Sequence, residues 1–190
     1  MILDRANNID GWMSGPELQF LAEMASKYNH ILEVGSYKGR STRALADNTK
    51  GQVVCCDPWD GKYQYYANKG IECPDAAQGS FHQNGDNEIY SQFFINLYDH
   101  IKSGKLRVFR CNFDQLDPNN FEEKFDFIFI DAIHEYEPVK ADIEKALTLI
   151  KSGGIIAGHD YIYAWQGVVQ AVDEMFPRRQ LTESIWYTQI

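Results

Sequence analysis

ILEVGSYKGRST, residues 31–42, carries a short apolar run onto one acid, Glu33, and then through two glycines, Gly35 and Gly39, into residues that suit a helix. This is the pattern of a buried strand, a tight turn and a helix entry. Gly35 and Gly39 let the backbone turn sharply and come close to a ligand, and the following helix start offers free N–H groups. A dinucleotide fingerprint would require glycine where Tyr37 stands. A P-loop is excluded, because no Gly-Lys-Ser/Thr closes the turn.

Outward from this loop the chain alternates between strand and helix. HILEV (30–34), QVVCC (52–56), KLRVFR (105–110), FDFIFID (125–131) and GIIAGHD (154–160) read as strands, and ESIWYTQI as a terminal strand. The apolar run of FDFIFID suits a central parallel strand covered on both faces. SGPELQFLAEMASKY reads as a helix, with Ser14 and Glu17 at capping-box spacing and Pro16 in the first turn. Further helices are expected over GRSTRALADN, near 86–103, over a segment in which Val139, Ile143, Ala146, Leu147 and Ile150 recur at helical spacing, and over WQGVVQAVDEMF (165–176). Strands separated by helices of this length imply an α/β, doubly wound, mostly parallel sheet. Ligands then bind at the carboxyl ends of the strands, near the point where strand order reverses.

Composition bounds the function. The chain of 190 residues is long enough for one sizeable core, so residues 1–190 are expected to form a single domain. A net charge of -9 with no run of Lys or Arg argues against a nucleic-acid partner. No stretch approaches the ~20 apolar residues of a membrane span, and a cytoplasmic location is expected. Cys55, Cys56, Cys73 and Cys111 show no CxxC pairing. Neighbours on a strand point to opposite faces, so Cys55 and Cys56 suit packing better than a bridge or a zinc site.

Glu33 would repel a pyrophosphate and would suit a ligand carrying an ammonium and a sulfonium. Glu33, Gly35, Gly39 and Ser41, as E-x-G-x-x-x-G-x-S/T, resemble motif I of the class I S-adenosylmethionine-dependent methyltransferases. The segments IDGWM, ILEVGSYKGRST, DAIHEYEPVKADIEKAL, GGIIAGHDY and GVVQAVDEMF together resemble a bacterial group of small methyltransferases related to sugar and antibiotic O-methyltransferases. The resemblance implies a seven-stranded Rossmann-like sheet and S-adenosylmethionine as cofactor. It implies that Asp57, after the second strand, accepts both ribose hydroxyls, which suits a carboxylate with two acceptor oxygens. A turn that merely ends the strand at Asp57-Pro58 is the alternative. Ser36, Tyr37, Asn112 and Asp131 join the implied cofactor set.

The same resemblance assigns chemistry to two strand ends. In metal-dependent O-methyltransferases these tips supply metal ligands, which fall here on Asp131, His159 and Asp160, and a general base, which falls on His134. A divalent cation such as Mg²⁺ or Mn²⁺ would lower the pKa of a substrate hydroxyl, and neutral His134 could then take the proton. His159 stands where the relatives usually carry an acid, which shifts preference toward Mn²⁺. As alternatives, His159 would serve as a second base or bond to Asp131, and His134 would serve only at the helix entry.

Residues 58–100 form an aromatic-rich insert, with Trp59, Tyr63, Tyr65, Tyr66, Phe81, Tyr90, Phe93, Phe94 and Tyr98. It reads either as a cover over a sugar or flat-ring substrate or as a packed extra helix. The expected activity is O-methylation of a hydroxyl on a small molecule, sugar or phenol-like, with no nucleic-acid or membrane partner. A homo-oligomer is compatible with all of this. The competing readings are a related enzyme on the same scaffold that transfers no methyl group, and a cofactor-binding protein without turnover.

Overall fold

The computed structural model describes residues 1–59 and 86–190, with side chains of the second stretch from residue 88 onward. Five strands run parallel: β1 (His30–Val34), β2 (Gln52–Cys56), β3 (Leu106–Phe109), β4 (Phe125–Ile130) and β5 (Ile150–Gly158). Two more, β6 (Gln180–Thr182) and β7 (Ile185–Gln189), run antiparallel to their neighbours. The seven-stranded sheet has the order β3-β2-β1-β4-β5-β7-β6. Strand order reverses between β1 and β4, so their carboxyl ends form the crevice where a doubly wound sheet binds ligands.

Among the described residues the helices are α1 (Asp4–Asn7), α2 (Gly15–Lys27), α3 (Arg40–Asn48), α4 (Asp86–Lys102), α5 (Tyr136–Leu149) and α6 (Gln166–Met175). Side chains alternate across the strands, as a period of two requires. Ile31, Cys55, Phe127 and Phe129 pack with Leu21, Leu45 and Phe93 of α2, α3 and α4. Leu32, Val34, Cys56 and Ile128 pack on the other face with Ile143 and Val172 of α5 and α6. Burying each such aliphatic side chain contributes about 1.5–3 kcal/mol. Cys55 and Cys56 are buried and unbridged, on opposite faces.

The capping box at α2 forms as its spacing predicts: Ser14 N donates to Glu17 Oε2 at 2.8 Å and Glu17 N donates to Ser14 Oγ at 3.4 Å. Arg43 is buried and ties α3 to α4, through Asp99 at 2.6 Å and the backbone carbonyl of Asn96 at 3.1 Å. Three expectations need adjustment. The fifth strand spans Ile150–Gly158, so Ile150 opens the strand instead of closing the preceding helix, and His159 and Asp160 lie beyond the strand, with Asp160 at φ 61. The terminal strand is the second arm of a β6–β7 hairpin. Short elements that the sequence pattern does not reveal are α1 and two 3₁₀ turns, Phe113–Gln115 and Pro118–Asn120.

Of the aromatic-rich insert, Tyr63, Tyr65, Tyr66 and Phe81, like Cys73, lie outside the described residues. Within them Trp59 packs on Tyr90 and Phe93, with ring centres 4.9 and 4.7 Å apart, so this portion forms core. Phe94 and Tyr98 face outward. No described helix is long and apolar enough to cross a membrane.

Candidate active site

The loop after β1 turns through left-handed backbone at Gly35 (φ 84), Tyr37 (φ 48) and Gly39 (φ 90). Gly35 is also fixed by a close approach, since a Cβ there would stand 2.0 Å from the Asp131 carbonyl oxygen. Asp131 N in turn donates to Val34 O at 2.7 Å. The tips of β1 and β4 are therefore joined through backbone alone. Gly39 is the N-cap of α3, where a side chain would collide with Leu97 of α4 at 2.3 Å.

Asp57, after β2, holds this loop. Its Oδ2 accepts from Ser36 N at 2.8 Å and Tyr37 N at 2.9 Å, and its Oδ1 accepts from Trp59 N at 2.7 Å. Arg40 donates to Met13 O at 3.0 Å and Ile9 O at 2.6 Å, which fastens the IDGWM segment beside the loop. Trp12 of that segment lies 4.8 Å from the Tyr37 ring.

Glu33 is fully buried beneath the loop. Its Oε2 accepts from Ser36 Oγ at 2.6 Å and from Thr42 Oγ1, and Ser41 stands beside the same carboxylate. Oε1 has no hydrogen-bond partner among the described residues. Burial pushes the Glu33 carboxyl up to about 7, with the Asp131 charge acting in the same direction and the three hydroxyls against it. A buried carboxylate with one free oxygen invites a cationic ligand. Asn112 is exposed beyond β3, with its N–H bound to Gln115 Oε1 at 3.1 Å. No hydrogen bond among the described residues joins it to the loop.

A second group gathers at the tips of β4 and β5. Ligand atoms of Asp131, His134 and Asp160 all lie within 4.8 Å of one another. His134 Nε2 is 2.6 Å from Asp160 Oδ2 and 3.9 Å from Asp131 Oδ1. Its ring packs on Trp165, with centres 4.4 Å apart. His159 Nδ1 approaches the same two acids, 3.4 Å from Asp160 Oδ2 and 3.8 Å from Asp131 Oδ1. Burial opposes charge on His159, but Asp131, Asp160 and Glu17 outweigh it and push the imidazole up to about 11. Burial alone would raise Asp160, and the two histidines instead hold it well below the usual carboxylate range. Two carboxylates and two imidazoles, once the imidazole protons are released, form a donor set that fits a divalent cation of the Mn²⁺ type.

The structure thus brings Glu33, Gly35, Ser36, Tyr37, Ser41 and Asp57 into one cradle. It brings Asp131, His134, His159 and Asp160 into an adjoining cluster, and Asp131 belongs to both. Sequence reasoning passes over Glu17, Thr42 and Trp165. Thr42 has a local signal in the Ser-Thr pair one helical turn beyond the glycine loop. Glu17 shows only a capping-box spacing, and its contact with residues near the C-terminus has no local signature.

A family model described as a methyltransferase domain matches residues 32–161. Among curated proteins none matches the chain. Solved structures share the fold. The calicheamicin methyltransferase CalS11 is 16% identical over 90% of this chain and 76% of its own, with a TM-score of 0.65. An O-methyltransferase from Bacillus cereus in complex with SAH is 20% identical over 97% and 86%, with a TM-score of 0.64. The O-methyltransferase TomG from Streptomyces achromogenes, involved in tomaymycin synthesis and solved with SAM, is 14% identical over 93% and 79%, with a TM-score of 0.62. With more than half of its length matched by the family model, and a cradle and an acid–histidine cluster meeting where strand order reverses, the chain belongs to the methyltransferase-domain family.

Proposed function

We propose that the protein transfers a methyl group from S-adenosylmethionine to a hydroxyl of a small molecule, sugar or phenol-like, with His134 as general base. The observation that carries this reading is the juxtaposition of the buried, half-satisfied Glu33 carboxylate with the His134–Asp160 pair across Asp131. Glu33 would face the cationic end of the cofactor, Asp57 its ribose, and the backbone at Gly35 its close approach. SAH and SAM in the structures of the Bacillus cereus enzyme and TomG support that choice of cofactor.

Bound S-adenosylmethionine supplies a methyl group on a sulfonium, an electrophile for an oxygen lone pair. Asp160 Oδ2 lies 2.6 Å and Asp131 Oδ1 3.9 Å from His134 Nε2, so an imidazolium formed when His134 takes a proton from a substrate hydroxyl would be stabilised by two carboxylates. Trp165 keeps the ring plane fixed. Asp131, Asp160 and His159 Nδ1, with His134 beside them, would hold a divalent cation, which lowers the pKa of a hydroxyl bound to it.

The test is methyl transfer from labelled cofactor to a panel of sugars and catechols, with and without EDTA. Label should appear in an ether product. His134→Ala should lower kcat by roughly 10²- to 10⁴-fold and leave cofactor affinity nearly intact. An unchanged His134→Ala enzyme would remove the base from the account, and a chelator-insensitive one would remove the cation.

A further inference from the structure

Glu17 is the third residue of the capping box on α2, and a capping box needs only one of its carboxylate oxygens. Oε2 serves that purpose, accepting from Ser14 N at 2.8 Å. Oε1 is directed elsewhere. It accepts from Ser184 Oγ at 2.5 Å and Ser184 N at 3.3 Å, in the turn between β6 and β7, 167 positions away in sequence. It also lies 3.2 Å from His159 Nε2, an ion pair in which both side chains are buried. His159 Nε2 makes no hydrogen bond among the described residues, so this contact is an ion pair. Its strength comes from charge and burial.

We propose that Glu17 is a positioning residue of the active site: anchored by Ser14 and Ser184, it holds the His159 imidazole with Nδ1 turned toward Asp131 and Asp160. The ring is clamped between anions on both sides, Glu17 behind and the two acids in front. The same carboxylate joins three elements that have to agree for the site to form. These are the start of α2, the end of β5 and the β6–β7 turn, where Ser184 O accepts from Tyr161 N at 2.9 Å. A carboxylate behind a histidine at a reacting centre fixes which way the ring faces, and its loss commonly costs 10- to 100-fold in metal affinity or activity.

The part of this inference that concerns turnover rests on the methyl-transfer reading above, whereas the orientation of His159 is read without it. Glu17→Gln keeps the size and the capping-box chemistry and removes the charge. Ring ¹⁵N and Hε1 resonances of His159 in the ligand-free protein should move in Glu17→Gln while those of His30 and His100 stay. Ser184→Ala, which removes one donor to the same oxygen, should move them in the same direction by less. Ser14→Ala, which removes the hydroxyl that accepts from Glu17 N and keeps the Ser14 N–H that anchors Glu17 Oε2, should lower the melting temperature and leave them in place. With a substrate in hand, Glu17→Gln should lower kcat roughly 10- to 100-fold with the cofactor KM nearly unchanged. His159 resonances unmoved in both Glu17→Gln and Ser184→Ala, or moved as far by Ser14→Ala, would overturn the proposal. Moved resonances in a protein that methylates nothing would retain the positioning role and reject the methyl-transfer reading.

Discussion

Glu33 carries a penalty that a bound cation would offset. Its carboxyl sits near 7 because burial disfavours the charge. The native state therefore binds a proton that the unfolded chain, with its ordinary value of 4.5, has already lost. Between those values the native state holds more protons, so this group makes stability fall as pH rises from about 4.5 to about 7, and the loss is complete above that. A tenfold difference in proton affinity between the two states is worth about 1.4 kcal/mol, so the contribution is on the order of 3 kcal/mol. Glu33→Gln removes the titration. The stability of the wild type minus that of the variant, from urea denaturation of the ligand-free proteins, should decline with pH across this window and then level off. Asp142, also pushed up to about 7 by burial, acts with the same sign in both proteins and cancels in the difference. Parallel stability curves would show that Glu33 is not the buried, titrating acid described here. At this scale the sequence is informative where spacing is local: Glu33 lies near the end of the first strand, and Gly35 and Gly39 make the sharp turn that their spacing suggests. Asp57 is legible as an acid at a strand end. Its backbone donors are not, because they depend on the left-handed turn that brings Ser36 and Tyr37 to it.

His134 depends on how α6 meets the segment after β4. Gly167, in the first turn of α6, rests directly on that segment: a Cβ there would lie 2.4 Å from His134 O and 2.5 Å from Tyr136 N. These are backbone atoms, so the helix or the loop must shift. Gly167→Ala should cost about 1–3 kcal/mol of stability, as overpacking does. It should also lower kcat by roughly 10²-fold, the effect of displacing the proposed base by about an ångström. Steady-state kinetics beside a denaturation curve would separate the two, and full activity in a destabilised variant would contradict this role for the helix contact. The helices and parallel strands are readable from their periods, and the capping box at Ser14 and Glu17 from its spacing. The β6–β7 hairpin reads as one strand because Gln180–Thr182 is too short and too exposed for a period of two to show. The four-residue α1 and the 3₁₀ turns leave no periodic trace for the same reason.

Over the whole molecule, the reversal of strand order between β1 and β4 brings together residues from distant parts of the chain. The cradle comes from β1, β2 and the start of α3, and the acid–histidine cluster from the ends of β4 and β5. Asp131 is shared because Gly35 lets the two tips touch. The α/β class and the mostly parallel sheet follow from alternation alone, whereas the contact of Glu17 with His159 and Ser184 requires the closed fold. The central claim is that the cradle is built for S-adenosylmethionine. Calorimetric titration of the wild type with S-adenosylhomocysteine, repeated on Asp57→Ala, tests it most directly. The account predicts micromolar affinity, about 7–8 kcal/mol, weakened by about 1.5–3 kcal/mol in the variant. Heat of binding from NAD, with none from S-adenosylmethionine or its demethylated product, would contradict it.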